Sequence, residues 1–288
     1  MTQIIDEMLK KYSIKTSIDA ENALKEIIQE IALLGLQRSN FFEKAAFYGG
    51  TALRVLYTLP RYSQDLDFTL FKSDPDFKLD PYFGAVRREL EAYGFTSEIS
   101  RVDKNIKSDI ESAFIKTNTK ITMLTIEPLK QFSGGFQENS KLQIKFEVDT
   151  DPVTDFEYEA RYLLMPTSFP VIALKKPDLF AGKLHALLFR KWKNRIKGRD
   201  FYDYIWYIKN NIPVRITYLA KKASQSGHLE AGDLKNKSQL TNHLHKRFKS
   251  IDFENAKIDV MPFIRDSNEL QYWSLDFFMQ ATEKLEVI

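Results

Sequence analysis

The 288-residue sequence contains no cysteine, which excludes thiolate catalysis, disulfide stapling and cysteine-ligated zinc. That absence agrees with a reducing compartment without requiring one. No apolar run approaches the ~18 residues that a membrane-spanning helix needs. The opening stretch MTQIIDEMLKKYS has neither the apolar core nor the small-residue cleavage site of a secretory signal, so a cytoplasmic protein with no membrane partner is expected. Histidine is scarce: His185, His228, His243 and His245 show no ligand spacing, and the last two are two apart on a predicted helix, where side chains diverge. Internal repeats and low-complexity tracts are also missing. What is present is 43% apolar and 13% aromatic residues, enough for a sizeable core and roughly two domains.

The formal net charge of +3 conceals a segregation. Lys175 to Lys222 carries thirteen Lys/Arg and three Asp, a net of +10, against −7 for the rest. A dense basic stretch is the electrostatic footprint of a polyanionic partner such as nucleic acid or nucleotide phosphate. Solvated helix faces produce the same composition, so the motifs must decide.

Hydrophobic periodicity predicts a helix over Ala20 to Gln37, then a short apolar run, Lys44 to Tyr48, leading to Gly49-Gly50. Thr51 to Thr58 has helical composition and Pro60 stops it. Ser63 to Leu70 alternates as a strand, with Leu66, Phe68 and Leu70 on one face and Ser63, Asp65 and Asp67 on the other. A helix over Asp80 to Tyr93 ends at Gly94. The β-rich runs Phe95 to Val102, Phe114 to Ile126, Leu142 to Asp149, Phe156 to Leu164 and Phe169 to Leu174 follow, with a turn at Ser133-Gly134-Gly135. Helical patterns then take over: Pro177 to Trp192, Arg199 to Lys209, Val214 to Ser224, Leu234 to Lys249 and Leu270 to Leu285. The expected architecture is an α/β domain over residues 1–175 and a basic helical domain over 176–288.

Asp65 and Asp67, one residue apart on a strand, point the same way and stand close enough to share divalent cations. Their mutual repulsion is relieved when a cation such as Mg²⁺ neutralises it. Gly49 and Gly50 precede a helix whose N-terminal amides and dipole favour phosphate. The stretch GGTALRVLY lacks the G-K-[ST] ending of a P-loop. The strand KLQIKFEVD adds a third acid, Glu147 by its central place in the strand, with Asp149 near its end as the alternate. Three carboxylates from two strands behind a glycine pair outline a nucleotidyltransferase site. Two Mg²⁺ ions would orient a nucleoside triphosphate there.

These residues carry a family resemblance. The run GGTALRVLYTLPRYSQDLDF resembles the first motif of the DNA polymerase β-like nucleotidyltransferases. Together with R-x-S-x-D-L-D-F and the later KPDLFAGKLHALLFRKWKNRIKGRDFYDY, it is similar to the AbiEii-type nucleotidyltransferase toxins of type IV toxin–antitoxin and abortive-infection modules. The resemblance covers roughly residues 45 to 210. It implies a bi-lobed α/β (α+β) protein, with an N-terminal mixed sheet flanked by helices and a C-terminal helical lobe. It also implies transfer of a nucleotide to RNA, tRNA acceptor ends in some relatives, and a separately encoded antitoxin as partner. The matching positions are Gly49, Gly50, Ser63, Asp65 and Asp67, then Lys183, Arg190, Arg199, Asp200 and Asp203, with Thr51 beside the glycines. Ser63 matches a serine that is phosphorylated in some relatives, which would add negative charge beside the acids.

The later motif has its own physical reading. Lys176, Lys183 and Arg190 recur every seven residues and fall on nearly one helix face, so Lys183 and Arg190 suit triphosphate, one as a point charge and one as a bidentate fork. Asp200 and Asp203 either orient those cations or act as base. Asp200 also suits a helix N-terminus. The aromatic group Phe201, Tyr202, Tyr204, Trp206 and Tyr207 offers either a base-stacking platform or core, and the cluster from His243 to Lys249 either an RNA track or a solvated face. Two other functions use the same parts: nucleotidylation of a protein, and RNA binding by an inactive nucleotidyltransferase fold.

Overall fold

The computed structural model describes residues 3–101, 109–191, 196–230 and 232–288. The helices are α1 (Gln3–Leu9), α2 (Ser17–Arg38), α3 (Gly49–Tyr57), α4 (Asp80–Ala92), α5 (Thr119–Thr125), α6 (Lys176–Phe189), α7 (Gly198–Lys209), α8 (Ile216–Gln225), α9 (Lys237–Phe248), α10 (Phe253–Val260) and α11 (Leu275–Glu283). The strands are β1 (Ala45–Tyr48), β2 (Asp65–Leu70), β3 (Glu98–Arg101), β4 (Ile110–Asn118), β5 (Lys141–Asp149), β6 (Tyr158–Leu163) and β7 (Phe169–Leu174). They form one seven-stranded mixed sheet in the order β3-β4-β5-β2-β1-β7-β6. The fold is α/β, as the sequence pattern indicated. Among the described residues no helix is long and apolar enough to cross a membrane.

By contacts the chain divides into two compact units, Met1–Thr58 with Tyr62–Thr154 and Ala160–Ala173, and Leu59–Arg61 with Asp155–Glu159 and Leu174–Ile288. The two short excursions have electrostatic causes. Arg61 is clasped by Asp203 of α7. Asp155 meets Lys221 of α8 at 2.5 Å, and Glu157 meets both Lys175 at 2.9 Å and Arg215 at 2.8 Å.

The sheet unit is built around β2. Leu66, Phe68 and Leu70 are buried on one face, as are Ile144, Phe146 and Val148 of β5. Phe68 lies 4.9 Å from both Phe41 and Phe146 and 5.1 Å from Phe47, ring centroid to centroid. Such contacts add packing energy beyond the apolar area they remove from water. Helix α2 opens with a capping box in which Thr16 and Asp19 satisfy each other's backbone amides. Gly35 permits the close crossing of α4, since a Cβ there would stand 2.7 Å from Val86 Cα. The sequence reading treated α2 as amphipathic, yet Glu26, Gln29 and Glu30 on its polar side are buried as well.

Several boundaries differ from the periodicity. The run Phe114 to Ile126 is β-rich throughout, but β4 ends at Asn118 because its partner β5 begins opposite it at Lys141. With no ladder to join, the next residues coil into α5, and the Thr122 hydroxyl donates to the Asn118 carbonyl at 2.7 Å. The Ser133-Gly134-Gly135 turn is the tail of a 3-10 run, Glu127–Gly135. Val102 and Trp192, predicted ends of a strand and a helix, lie outside the described residues.

In the helical unit α8 starts two residues later than expected, because Val214 exchanges backbone hydrogen bonds with the C-terminal segment, accepting from Ile288 and donating to Glu286 at 2.9 Å each. The pattern from Leu270 to Leu285 splits where Ser274 caps α11, its hydroxyl accepting from the Phe277 amide. Helices α1 and α10, of 7 and 8 residues, are too short for a helical period to be legible. The core here is aromatic: Phe180 stacks on Tyr207 at 4.2 Å, and Phe201, Phe248 and Phe253 ring Phe278 at 4.8 to 5.7 Å.

Candidate active site

In the sheet unit the glycine turn and the acids are brought together. Gly49 has φ +82°, a left-handed conformation that costs glycine little. A Cβ on it would collide with the Asp67 carboxylate, so the missing side chain makes the space in which that carboxylate sits. Tyr48 pairs with Asp67 across the antiparallel β1–β2 ladder, which fixes this approach. Gly50 and Thr51 lie in the first turn of α3. The buried Thr51 hydroxyl donates to the Asp65 carbonyl at 2.5 Å, tying the start of α3 to the start of β2.

Strand β5 runs parallel to β2 with Asp65 opposite Lys145, Asp67 opposite Glu147 and Thr69 opposite Asp149. Directly paired residues share a face, so Asp65, Asp67, Glu147 and Asp149 stand on the side away from the phenylalanine core. Between the two candidates for the third acid, Glu147 is the one in register with Asp67. Its Oε1 lies 2.6 Å from Lys145 Nζ and 3.4 Å from Ser112 Oγ. Asp149 Oδ1 accepts the Asp151 amide at 3.3 Å in the turn beyond the strand. The four acids offer the hard oxygen donors that Mg²⁺ prefers. Among the described residues, however, no three acids or histidines are gathered as a ready metal cluster. Ser63 precedes β2 instead of belonging to it, which corrects its expected place on the strand face. The Gln29 side chain donates to its carbonyl at 3.3 Å.

Below this region lies a buried charged group. Arg54 of α3 meets Glu26 at 2.7 Å and lies 4.9 Å from the Tyr62 ring, and Glu26 also accepts the Tyr12 hydroxyl at 3.0 Å. Glu30, paired with Lys11 at 2.5 Å, is pushed up to about 7 by burial, against the pull of Lys11.

In the helical unit the second motif forms an alternating ladder. Asp203 Oδ1 and Oδ2 accept the Arg61 guanidinium at 2.6 and 2.7 Å, a bidentate clasp with Arg61 only 1% exposed. Lys183 Nζ lies 2.7 Å from Asp203 Oδ2 and 3.5 Å from Asp200 Oδ1, and Arg190 Nη1 lies 2.8 Å from Asp200 Oδ2. Burial opposes charge on Asp203, but Arg61 and Lys183 hold its carboxyl below the usual range. Both Asp203 oxygens are thus committed to cations.

Other expected contributors are placed differently. Arg199 covers the Phe263 ring at 4.2 Å and faces Asp259 at 3.9 Å. Phe201, Tyr202, Tyr204 and Tyr207 are buried, which leaves no stacking platform there, while Trp206 is half-buried. Arg247 donates to the carbonyls of Leu187 and Arg190 at 2.9 and 2.8 Å and so caps the C-terminal end of α6. His185 Nε2 and His228 Nδ1 both lie 2.8 Å from the Ser226 hydroxyl, and burial, with Lys222 nearby, pulls His185 down to about 4. Among the described residues between Lys175 and Lys222, Lys175, Lys183, Arg190, Arg199, Lys209, Arg215 and Lys221 pair with acids, several contributed from outside that segment. Arg61 is the residue the sequence reading passed over. It stood in the R-x-S motif, but its partner is 142 positions away.

The sequence matches the family described as Nucleotidyl transferase AbiEii toxin, Type IV TA system, over residues 31–281. Two crystal structures from Helicobacter pylori share the fold. One, of a candidate nucleotidyltransferase, is 17% identical, with 89% of this chain and 90% of that one covered and a TM-score of 0.50. The other, JHP933, is 16% identical, with 91% and 90% covered and a TM-score of 0.50. Among curated proteins none matches the chain.

Proposed function

The chain belongs to the AbiEii family of nucleotidyltransferase toxins, and on that premise we propose that it transfers a nucleoside monophosphate from a triphosphate to RNA, a tRNA acceptor end being the preferred acceptor. It is a nucleotidyltransferase of a toxin–antitoxin family. The proposal adds the acceptor, the metal, the site residues, cytoplasmic action and a division of labour between residues 1–175 and the basic helices of 176–288.

The observation that carries it is the register of β2 on β5, with Asp67 opposite Glu147 and the Gly49 turn shaped around the Asp67 carboxylate. Asp65, Asp67 and Glu147 would hold two Mg²⁺ ions. When bound, such ions neutralise triphosphate charge and make the acceptor hydroxyl a better nucleophile. The amides of Gly49, Gly50 and Thr51 at the start of α3 bind phosphate oxygens. Lys183 and Arg190 supply cations for the triphosphate, each held by an aspartate, so little side-chain freedom is lost on binding. Asp200 and Asp203 position those two cations. Arg199, tied to Asp259 and Phe263, supports the fold of the helical unit and contributes less to the nucleotide.

RNA is favoured over protein as acceptor by the sequence charge of +10 between Lys175 and Lys222. The ion pairs that cations of that stretch make with acids weaken this argument without reversing it. The test is incubation with each labelled nucleoside triphosphate, Mg²⁺, total RNA and total protein, with Asp67→Ala as control. Label on RNA that disappears in the variant supports the proposal. Label on protein selects the other acceptor, and equal labelling by Asp67→Ala removes the metal assignment.

A further inference from the structure

We infer that Lys145 is a built-in competitor for the divalent cation, an ammonium on the carboxylate face that sets how tightly the site takes its metal. The inference rests on the assignment of Asp65, Asp67 and Glu147 as the metal-holding acids. Across the five register pairs that join β2 to β5, Lys145 is the single cation, and it stands directly opposite Asp65. Strand alternation puts it on the same face as Glu147, two residues on. Its ammonium lies 2.6 Å from Glu147 Oε1, and the Ser112 hydroxyl approaches the same oxygen at 3.4 Å. The third acid is therefore engaged by a positive charge of the protein's own, and that charge lies beside the position where a divalent ion would share Glu147 with Asp67.

The energetic logic is simple. Four carboxylates on adjacent positions of two strands repel one another. A lysine among them relieves part of that repulsion, and a bound divalent ion relieves it more strongly. Both cannot keep close contact with Glu147, because like charges at such separations repel substantially at the effective dielectric of a half-buried site. Metal entry then requires Lys145 to swing away from Glu147. Lysine suits this exchange, since its flexible stem lets a compact charge move without moving the strand. Lys141 serves as an internal comparison: it lies on the same strand with the same parity, but opposite Asn118 and away from the acids.

The test uses Mn²⁺ as the probe, because its binding is read directly by electron paramagnetic resonance and calorimetry without turnover. The full chain is compared with Lys145→Met, Lys145→Gln, Lys141→Met and Asp67→Asn. Both Lys145 variants are expected to bind Mn²⁺ on the order of tenfold more tightly. They should also show a larger rise in melting temperature on adding Mn²⁺ than wild type does. Lys141→Met should leave the affinity unchanged. Unchanged or weaker binding in both Lys145 variants, with Asp67→Asn still abolishing it, overturns the competitor role and leaves the metal site standing. Mn²⁺ binding to Asp67→Asn as tight as to wild type overturns the metal assignment itself. Equal tightening in Lys141→Met shows a general charge effect and also overturns the inference.

Discussion

Gly49 and the Asp67 carboxylate occupy complementary space: the hydrogen in place of a side chain on one leaves room for the oxygen of the other. Both demands on Gly49, its φ of +82° and the absent Cβ, arise because β1 must turn into α3 while pressed against β2. Gly49→Ala is therefore expected to destabilise the protein by roughly 1–3 kcal/mol, combining backbone strain with overpacking. It should also displace Asp67, so nucleotidyl transfer should fall by far more than the stability loss explains. Chemical denaturation and the labelled-nucleotide assay on the same preparation check this. An active Gly49→Ala enzyme would separate the turn from the chemistry.

Arg61 and Asp203 form a doubly hydrogen-bonded pair with almost no solvent access. Removing Asp203 takes the bidentate partner from a buried guanidinium, and breaking a buried pair in this way typically costs about 3–5 kcal/mol, whereas removing Arg61 leaves Asp203 its contact with Lys183 at 2.7 Å. Asp203→Ala should approach that figure and Arg61→Ala fall short of it, while the double variant costs much less than their sum. The pH dependence follows from the lowered Asp203 carboxyl. A depressed acid contributes stability that is present above the unfolded-state value and is lost only as pH falls through the folded one. Wild type should thus outlast Asp203→Asn by a constant margin through neutral pH, with the margin closing only under strong acid. Urea titrations at several pH values measure it.

The same two residues show what the sequence could and could not reveal. Period-two alternation placed Asp65 and Asp67 together on β2, and Glu147 and Asp149 together on β5, because one face of each strand is buried and the pattern is forced. Which strands would pair, and in what register, is a tertiary property. Glu147 was preferred to Asp149 for its central place in the strand, and its register opposite Asp67 is what only the fold could add. Arg61 was invisible for the same reason, since nothing local to Pro60-Arg61-Tyr62 indicates an aspartate 142 residues away. Cations of the basic stretch looked unpaired in sequence because acids such as Glu157 and Asp259 come from elsewhere in the chain. The β4 to α5 transition was misread because β-favouring residues persist past the point where the partner strand begins.

Glu30 titrates in the opposite sense to Asp203. Burial pushes its carboxyl from an ordinary 4.5 up to about 7, despite Lys11 at 2.5 Å. A raised folded value means the native state takes up a proton that the unfolded state releases. The resulting stability is fully present below about pH 4.5 and is lost as pH rises through about 7. Glu30→Gln removes this dependence. Relative to wild type, the variant should gain about 2–3 kcal/mol between pH 5 and pH 8, whatever its absolute stability. Parallel denaturation curves at the two pH values would disprove the buried-acid account.

Arg247 provides a sharp distinction between a structural and an RNA-binding cation. Its guanidinium donates to the carbonyls of Leu187 and Arg190, where the last turn of α6 leaves acceptors without helical partners. A cation at a helix C-terminus is favoured by the dipole as well as by the hydrogen bonds. Arg247→Ala should cost about 1–2 kcal/mol of stability. It should not change the slope of log affinity for RNA against log salt, because a cation that contacts no phosphate releases no counterion. A phosphate-contacting arginine would lower that slope by about one. Lys246, exposed on the same helix, is the control that should behave in the reverse way if α9 touches RNA. Measuring stability and salt slope for both variants separates the cap from the track. A slope change in Arg247→Ala without a stability loss would reverse the assignment.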